Sequence, residues 1–166
     1  MTFYKFTFMF SNIKLLFLDF DGVLTDNFVY VSEDGVENVK CYRSDGIGIS
    51  NLVKSGIGVC IVSTESNNVV LKRAEKLKIP AFNAVKDKAR IVVEYSKKLN
   101  VELKDVAFLG NDINDIDVLK IVGHPFGVSD CFPELNNLIT YKTKKRGGEG
   151  AVRELCDIIL SELKNT

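Results

Sequence analysis

The stretch LLFLDFDGVLTD, residues 15–26, decides the fold because it places two carboxylates directly after a strongly apolar run. The four apolar residues 15–18 are too few for a helix and are typical of a buried strand. Asp19 and Asp21 follow at once, and burying unpaired carboxylates is unfavourable. A bound cation or a reactive role would offset that penalty, whereas the alternative interpretation is a turn that the two aspartates merely cap.

Two further apolar runs end in the same way. Residues 59–62 lead to Ser63, and residues 106–109 lead to Gly110 and a polar cluster. Longer amphipathic stretches lie between these runs, which is typical of β-α units around a parallel sheet. We therefore predict an α/β fold, a Rossmann-like parallel sheet with helices on both faces. Because ligands bind beyond the carboxyl ends of such strands, the three segments should converge on one crevice.

One segment departs from this rhythm. Residues 28–42 alternate in polarity around EDG, residues 33–35, which is a turn signal typical of a β-hairpin. Such a hairpin would protrude from the parallel sheet. Weaker apolar runs at 126–128 and 138–141 predict two more strands, and His124 is interpreted as a loop residue rather than a general base.

The length of 166 residues predicts one domain, residues 13–164, after an N-terminal extension, residues 1–12. Its 22 basic and 22 acidic side chains balance, so no basic field exists to bind nucleic acid or an anionic membrane. The aromatic N-terminus is interrupted by Lys5 and resembles neither a leader peptide nor a membrane span. The four cysteines are spread singly and indicate a reducing compartment. We expect a cytoplasmic protein without nucleic-acid or membrane partners.

The string LLFLDFDGVLTD resembles the opening motif of the haloacid dehalogenase superfamily of phosphotransferases, an apolar strand followed by D-x-D-G-x-x-T/S. The three other motifs of that superfamily follow in order. Ser63 ends an apolar strand, Lys88 opens a later helix, and GNDIND, residues 110–115, is similar to the fourth motif. The resemblance covers nearly the whole chain and implies a HAD-like fold and a phosphoric monoester hydrolase.

The resemblance implies a role for each matched residue. Asp19 would be the nucleophile that forms a phosphoaspartate, and Asp21 would protonate the leaving alkoxide and then deprotonate the attacking water. Ser63 would donate a hydrogen bond to a phosphoryl oxygen, and Lys88 would neutralise charge on it. The expected cofactor is Mg²⁺, which offsets the repulsion between a carboxylate nucleophile and a dianionic phosphate.

The fourth motif contains the main departure from the superfamily pattern. The expected metal ligands are Asp19, Asp21, Asn111 and Asp112. Asn111 stands where the superfamily usually has a metal-binding aspartate, so metal affinity should be lower. Asp112 would substitute for it or hold a metal-bound water, and the sequence leaves open which of the two faces the cation.

Most members of the superfamily carry a separate cap domain after the first or second motif. Only the hairpin at 28–42 fills the first place, and residues 63–88 hold little beyond one helix, so we expect no cap domain. This layout is similar to the capless phosphatases related to 3-deoxy-octulosonate 8-phosphate phosphatase. In that branch the hairpin builds a homotetramer, and a neighbouring subunit acts as the lid.

Two further strings resemble that branch: RSDGIG at 43–48 and GGEGAVRE at 147–154. Gly147 and Gly148 would let this second segment approach an anionic ligand closely. The alternative interpretation is a flexible basic loop before the last helix.

The segment after Ser63 bears on the substrate. The octulosonate enzymes typically have T-G-R there, whereas this chain has Glu65, followed by Arg73 and Lys76 on one face of a helix. This pattern resembles relatives that act on nine-carbon keto acids, the 9-phosphates of sialic acid type sugars. Glu65 would accept hydrogen bonds from sugar hydroxyls, and the two cations would bind the sugar carboxylate. The alternative for Arg73 and Lys76 is an ordinary solvated helix face.

We therefore expect a Mg²⁺-dependent phosphatase acting on a small-molecule keto sugar acid phosphate. The favoured substrate is a nonulosonate 9-phosphate, and the nearest alternative is 3-deoxy-octulosonate 8-phosphate of lipopolysaccharide biosynthesis. A rival from another class is a catalytically weak oligomerisation domain associated with acylneuraminate cytidylyltransferase, which the substitution at Asn111 motivates. A receiver-like phosphoacceptor fits less well, because Asp21 and the hairpin have no role there.

Overall fold

The computed structural model describes residue 10 and residues 12–164. The parallel strands are β1 (Leu15–Leu18), β4 (Gly58–Val62), β5 (Ala81–Phe82), β6 (Val106–Gly110), β7 (His124–Gly127) and β8 (Tyr141–Lys142). They form one six-stranded sheet in the order β5-β4-β1-β6-β7-β8. An antiparallel hairpin consists of β2 (Thr25–Val31) and β3 (Glu37–Cys41).

The helices are α1 (Asp45–Lys54), α2 (Val69–Leu77), α3 (Lys88–Lys98), α4 (Ile116–Leu119) and α5 (Ala151–Leu163). Helix α1 packs on α5, and α3 packs on α4. Each of α1 and α5 buries an apolar stripe, with Ile49 and Leu52 on α1 and Leu155 and Ile159 on α5. The predicted α/β fold with a parallel sheet and flanking helices is confirmed.

Strand β1 lies at the centre of the sheet because it is apolar at every position. It pairs with β4 on one side and β6 on the other, with Leu16 opposite Val59 and Ala107. All residues of β1 and β6 are buried, and each fully buried leucine stabilises the fold by about 1.5–3 kcal/mol. This packing fixes the position at which Asp19 leaves the sheet.

The hairpin differs from the sheet in being exposed to solvent. Phe28 is 67% exposed and Tyr30 59%, although both are large apolar residues. The turn is built on Gly35, which has a φ of 80° and donates its N–H to the Ser32 carbonyl at 2.9 Å. The predicted hairpin and its turn are confirmed, and residues 12–164 contain no separate cap domain.

The sheet edges depart from the sequence predictions. Strand β5 was not predicted, since two residues give no periodicity signal and only pairing with β4 makes them a strand. The run at 138–141 yields only the two-residue strand β8. The interpretation of His124 as a loop residue was wrong: it begins β7 and is buried, because pairing with Ala107 outweighs local propensity.

The aromatic N-terminal residues 1–9 lie outside the described residues, as does residue 11. Phe10 packs against Phe126 and Tyr141, with ring centroids 5.3 and 5.1 Å apart. None of the helices within residues 12–164 is long and apolar enough to cross a bilayer.

Candidate active site

Three strand ends meet at one edge of the sheet. Asp19 follows β1, Ser63 follows β4 and Asn111 follows β6, and these strands are adjacent and parallel. A cavity of about 320 Å³ opens there. Its lining comprises Asp19, Asp21, Asn27, Ser63, Thr64, Asn111, Asp112, Ile113 and Asn114. The predicted convergence on one crevice is therefore observed.

A buried ion cluster forms the floor of the site. The ammonium of Lys88, the first residue of α3, lies 2.8 Å from Asp19 Oδ1 and 2.7 Å from Asp115 Oδ1. Asp19 Oδ1 also accepts the N–H of Phe20 at 2.7 Å. All three charged side chains are buried. The cluster of two carboxylates and one ammonium carries a formal charge of −1, which leaves room for a cation.

Burial is the main factor that disfavours the anionic form of the Asp19 carboxylate when no cation lies beside it. Burial, together with the negative charge of Asp115, raises the pKa of Asp19 to about 7, although Lys88 opposes this shift. Burial alone would lower the pKa of Lys88, but Asp19 and Asp115 outweigh it and raise that pKa. A divalent cation beside Asp19 would stabilise its anionic form.

Asn111 supplies the position for such a cation. Its side-chain amide directs one terminal atom at the Asp21 carbonyl oxygen, 3.0 Å away, and at Asp19 Oδ2, 3.1 Å away. With the amide nitrogen in this position, Asn111 donates hydrogen bonds to both oxygens; with the amide turned over, its oxygen joins them as a third oxygen with no proton among the three. Oxygens that share an octahedral Mg²⁺ at about 2.1 Å lie about 3 Å apart. The donor set therefore fits magnesium, with Asp21 contributing its backbone carbonyl rather than its carboxylate.

Asp112 is not brought to this cluster of oxygens. Its Oδ1 accepts the N–H of Ile113 at 2.7 Å and caps the short helix at 113–115. Asn111, not Asp112, is thus the residue that faces Asp19. No group of three His, Cys, Asp or Glu side chains suited to a metal occurs in the described part of the chain.

Asp115 is a member of the buried ion cluster that the sequence did not single out. Its Oδ2 accepts the N–H of Asn111 at 2.9 Å and that of Asp112 at 3.3 Å, while Oδ1 binds Lys88. It therefore fixes both the loop after β6 and the ammonium. The second aspartate of the GNDIND string was the available signal, but the sequence alone gave no reason to place it beneath Lys88.

Asp21 lies at the wall of the cavity and is half-buried. The Thr25 hydroxyl donates to its Oδ1 at 3.4 Å and accepts the N–H of Gly22 at 3.2 Å. Burial and the nearby charge of Glu65 raise the pKa of Asp21. The threonine of the first motif thus orients the carboxyl group that was predicted to transfer protons.

Hydrogen bonds between the loops after β4 and β5 fix the positions of Ser63 and Lys88 relative to each other. Val85 donates its N–H to the Ser63 carbonyl at 3.0 Å, and Ala84 donates to the Glu65 carbonyl at 2.9 Å. The Ser63 hydroxyl oxygen accepts the N–H of Glu65 at 3.1 Å, so its proton remains free to point into the cavity. The structure therefore brings together the four residues that were predicted to be catalytic.

The predicted substrate cations lie elsewhere. Arg73 and Lys76 line a second cavity of about 500 Å³ between α1 and α2, which shares no residue with the first. The lining of this basic cavity is Arg43, Gly46, Ile47, Ser50, Asn51, Lys54, Arg73, Lys76, Leu77 and Lys78. Glu65 lies near the first cavity, which is acidic, and its charge raises the pKa of Asp21 there. Its Oε1 accepts the N–H of Asn67 at 2.8 Å.

Gly147 and Gly148 pack against the first motif rather than lining the cavity. A Cβ on Gly147 would lie 1.8 Å from the Gly22 carbonyl oxygen, and one on Gly148 would lie 2.2 Å from the Asp26 nitrogen. Gly148 donates its N–H to the Val23 carbonyl at 3.0 Å. The observed close approach is therefore to protein backbone, and an anion contact by these glycines stays a prediction.

Comparison with known proteins agrees with this geometry. A family profile described as haloacid dehalogenase-like hydrolase matches residues 64–155. The chain belongs to this family. The 3-deoxy-D-manno-octulosonate 8-phosphate phosphatase KdsC of Yersinia pestis is 36% identical over 152 residues, covering 90% of this chain and 81% of that protein. KdsC of Escherichia coli K12 is also 36% identical, covering 90% and 80%.

Solved structures of the family superpose closely. The octulosonate phosphatase of Moraxella catarrhalis, in complex with magnesium, phosphate and KDO, has a TM-score of 0.93 and 33% identity, covering 97% of this chain and 93% of that one. The cobalt-bound enzyme of Haemophilus influenzae has a TM-score of 0.89 and 28% identity, covering 94% and 92%. The predicted family, fold, hydrolase class and magnesium cofactor are confirmed.

Proposed function

We propose that this phosphatase hydrolyses the phosphate monoester of an eight- or nine-carbon keto sugar acid through a phosphoaspartate on Asp19. The observation that carries the proposal is the convergence of Asp19, Ser63, Lys88 and Asn111 on one edge of the sheet. The named substrates of its relatives support the choice of sugar acid.

The first step forms a bond between an Asp19 carboxylate oxygen and phosphorus and breaks the bond from phosphorus to the sugar oxygen. Asp21 gives its proton to the leaving sugar alkoxide. In the second step Asp21 takes a proton from water, whose oxygen attacks phosphorus and releases phosphate from Asp19. Each carboxyl group ends the cycle in its starting state.

Neighbouring groups stabilise the charge that moves during these steps. In this proposal the Ser63 hydroxyl and the Lys88 ammonium donate hydrogen bonds to phosphoryl oxygens, and Lys88, which lies 2.8 Å from Asp19 Oδ1, also orients Asp19. Asp19, the Asp21 carbonyl and Asn111 would hold Mg²⁺, which supplies positive charge against the phosphate dianion.

The charge of the two cavities supports a composite substrate site. The acidic cavity is lined by three carboxylates, Asp19, Asp21 and Asp112, and by no lysine or arginine. The basic cavity is lined by five cations and no carboxylate. A sugar acid phosphate carries a carboxylate as well as its phosphate, so we propose that Arg73 and Lys76 of a second copy bind that carboxylate.

The exposed hairpin supports the same assembly. Phe28 and Tyr30 are more than half exposed and need a partner surface to be removed from water. We propose that the hairpins associate into a homotetramer, in which a neighbour closes the cavity. Phe28→Asp in the hairpin should give monomers in sedimentation, whereas Leu99→Asp, at another exposed apolar residue, should leave the tetramer intact. Monomers at micromolar concentration in the unaltered protein would contradict the assembly.

Two substrates remain candidates within this class. The curated relatives favour 3-deoxy-octulosonate 8-phosphate, whereas Glu65, Arg73 and Lys76 favour a nonulosonate 9-phosphate. The ratio of kcat/KM for the two compounds decides between them.

The test is phosphate release from a panel of sugar acid phosphates in the presence of Mg²⁺. The unaltered protein should release phosphate from a sugar acid phosphate, and Asp19→Asn should not. Lack of release from every substrate would instead favour the rival, a catalytically weak oligomerisation domain associated with acylneuraminate cytidylyltransferase. Asp117→Asn, an exposed aspartate outside the cavity, serves as the matched control and should retain full activity.

A further inference from the structure

Asn27 lines the acidic cavity, and its side-chain amide is unpaired. It belongs to β2, whereas the other lining residues follow strands of the parallel sheet. Within residues 12–164 the structure gives this amide no hydrogen-bond partner. Asn114 differs, because its amide donates to Thr64 Oγ1 at 3.4 Å, so these two side chains of the lining already bind each other. The amide of Asn27 therefore requires an explanation.

The backbone at Asn27 has a conformation that most side chains disfavour. Its φ is 67°, in the left-handed region, which asparagine tolerates better than most residues but which only glycine adopts freely. Strand β2 is irregular here, since Thr25 pairs with Cys41 and Val29 pairs with Val39. Four steps along β2 thus oppose two steps along β3. Such bulges occur next to active sites, where they redirect a side chain.

One hydroxyl group fixes Asn27 relative to Asp21. Thr25 Oγ1 accepts the N–H of Asn27 at 3.2 Å and donates to Asp21 Oδ1 at 3.4 Å. In the proposed mechanism, Asp21 protonates the sugar oxygen that leaves phosphorus. Asn27 therefore lies on the side of the cavity that receives the sugar, next to the atoms that adjoin the ester oxygen.

Both candidate substrates have the same chemical group at this place. In 3-deoxy-octulosonate 8-phosphate and in a nonulosonate 9-phosphate, the carbon next to the phosphorylated carbon carries a hydroxyl. A side-chain amide has two N–H donors and a carbonyl acceptor, so it matches a hydroxyl as donor or as acceptor. It is also uncharged and does not repel the phosphate dianion.

We propose that Asn27 is a specificity-determining residue, whose amide binds the hydroxyl on the carbon next to the phosphorylated carbon. The inference rests on the proposed function, which supplies the sugar acid phosphate. It also accounts for the backbone, because glycine would adopt this φ without steric cost but has no amide to offer.

The competing explanation is that Asn27 only forms the bulge. Asn27→Gly separates the two roles, because glycine keeps the left-handed φ and removes the amide. The matched control is Asn100→Gly. Asn100 has a φ of 55° and is exposed after the end of α3, outside the cavity. Both variants should keep the Tm of the unaltered protein within about 3 °C.

The experiment measures kcat/KM of the full-length protein with Mg²⁺ for three compounds. They are the better of the two sugar acid phosphates, its deoxy analogue without the proposed hydroxyl, and p-nitrophenyl phosphate, which carries no sugar. Asn27→Gly should lower kcat/KM for the sugar acid phosphate about fivefold, as expected for one hydrogen bond between uncharged groups. Its kcat/KM for the other two compounds should stay unchanged, and Asn100→Gly should change none of the three values.

The two sugar compounds together form a cycle between side chain and hydroxyl. The unaltered protein should prefer the intact sugar acid phosphate over the deoxy analogue about fivefold, and Asn27→Gly should abolish this preference. No preference in the unaltered protein, or a preference that persists in Asn27→Gly, overturns the role of Asn27. The same holds if Asn27→Gly impairs all three compounds equally, and in each of these cases the proposed function stands. If the unaltered protein hydrolyses no sugar acid phosphate, the proposed function itself fails.

Discussion

Lys88 offers the sharpest test of the buried cluster. Lys88→Met keeps the length and apolar stem of the side chain but removes the ammonium that lies 2.8 Å from Asp19 and 2.7 Å from Asp115. Both carboxylates are buried, so they lose their shared counter-ion where water does not replace it. Removing one member of a buried ion pair destabilises a protein by about 3–5 kcal/mol.

The expected loss in the free energy of unfolding is at the lower end of that range, about 3 kcal/mol, because backbone N–H groups still bind both aspartates. Urea denaturation measures it. Activity should fall by at least about 100-fold, since Asp19 loses its orientation and the phosphate loses a donor. Lys86→Met, at an exposed lysine two residues earlier, is the matched control and should behave like the unaltered protein.

A second variant distinguishes the loss of the ammonium from general unfolding of Lys88→Met. Lys88→Met combined with Asp115→Asn removes one of the two orphaned charges, so it should be more stable than Lys88→Met alone while remaining inactive. Equal stability of Lys88→Met and the unaltered protein, within about 1 kcal/mol, would refute the view that this cluster depends on its ammonium.

Three other predictions follow from individual contacts. Asn111→Asp adds a negative charge beside Asp19. It should therefore raise the Mg²⁺ affinity measured by calorimetry about tenfold and destabilise the metal-free protein. An unchanged affinity would show that residue 111 does not face the cation. Burial raises the pKa of Asp45 from 3.8 to about 6. The folded protein therefore holds this proton more tightly than the unfolded chain does. As the pH rises from 4 to 7, the free energy of unfolding of the unaltered protein should fall by about 2 kcal/mol relative to that of Asp45→Asn. A difference in stability that does not depend on pH would contradict the burial argument. Gly148→Ala should destabilise the protein by more than about 2 kcal/mol in thermal melts, because Gly148 combines a φ of 66° with a Cβ position 2.2 Å from the Asp26 nitrogen. Gly35→Ala has a similar φ but an open environment and should lose only about 1–2 kcal/mol, so equal losses at both glycines would exclude the close packing as the cause.

The sequence predicted the centre of the molecule well because buried strands leave a strong signal. Residues 15–18 are apolar at every position, and the charged Asp19 that follows them marks the end of the strand. The convergence of Asp19, Ser63 and Asn111 followed from strand adjacency, a general property of parallel sheets. The sequence did not indicate which of Asn111 and Asp112 faces Asp19, because two successive side chains in a loop point in different directions.

Other features have no local signal. Asp115 acts through a contact with Lys88, 27 residues earlier, and no periodicity reports such a pair. The spacing of Arg73 and Lys76 predicted that they share one face of a helix. It did not predict the cavity that this face borders. Strand β5 exists only because β4 offers it an edge, so tertiary pairing rather than propensity determines it.

The placement of β1 between β4 and β6 bears on how the enzyme is made in the cell. Strand β1 leaves the ribosome before both of its partners, which follow about 43 and 91 residues later, since Leu15 pairs with Gly58 and Val106. Asp19 is therefore translated before Asn111 and Asp115, which reach it only after the third motif has emerged. In the proposed mechanism, a chain released before residue 115 would carry the nucleophile Asp19 without the Asp115 that anchors Lys88, so premature termination should yield no partially active fragment. Pairings over such distances also slow folding, and the exposed apolar strands of an unfinished chain are a natural target for chaperones.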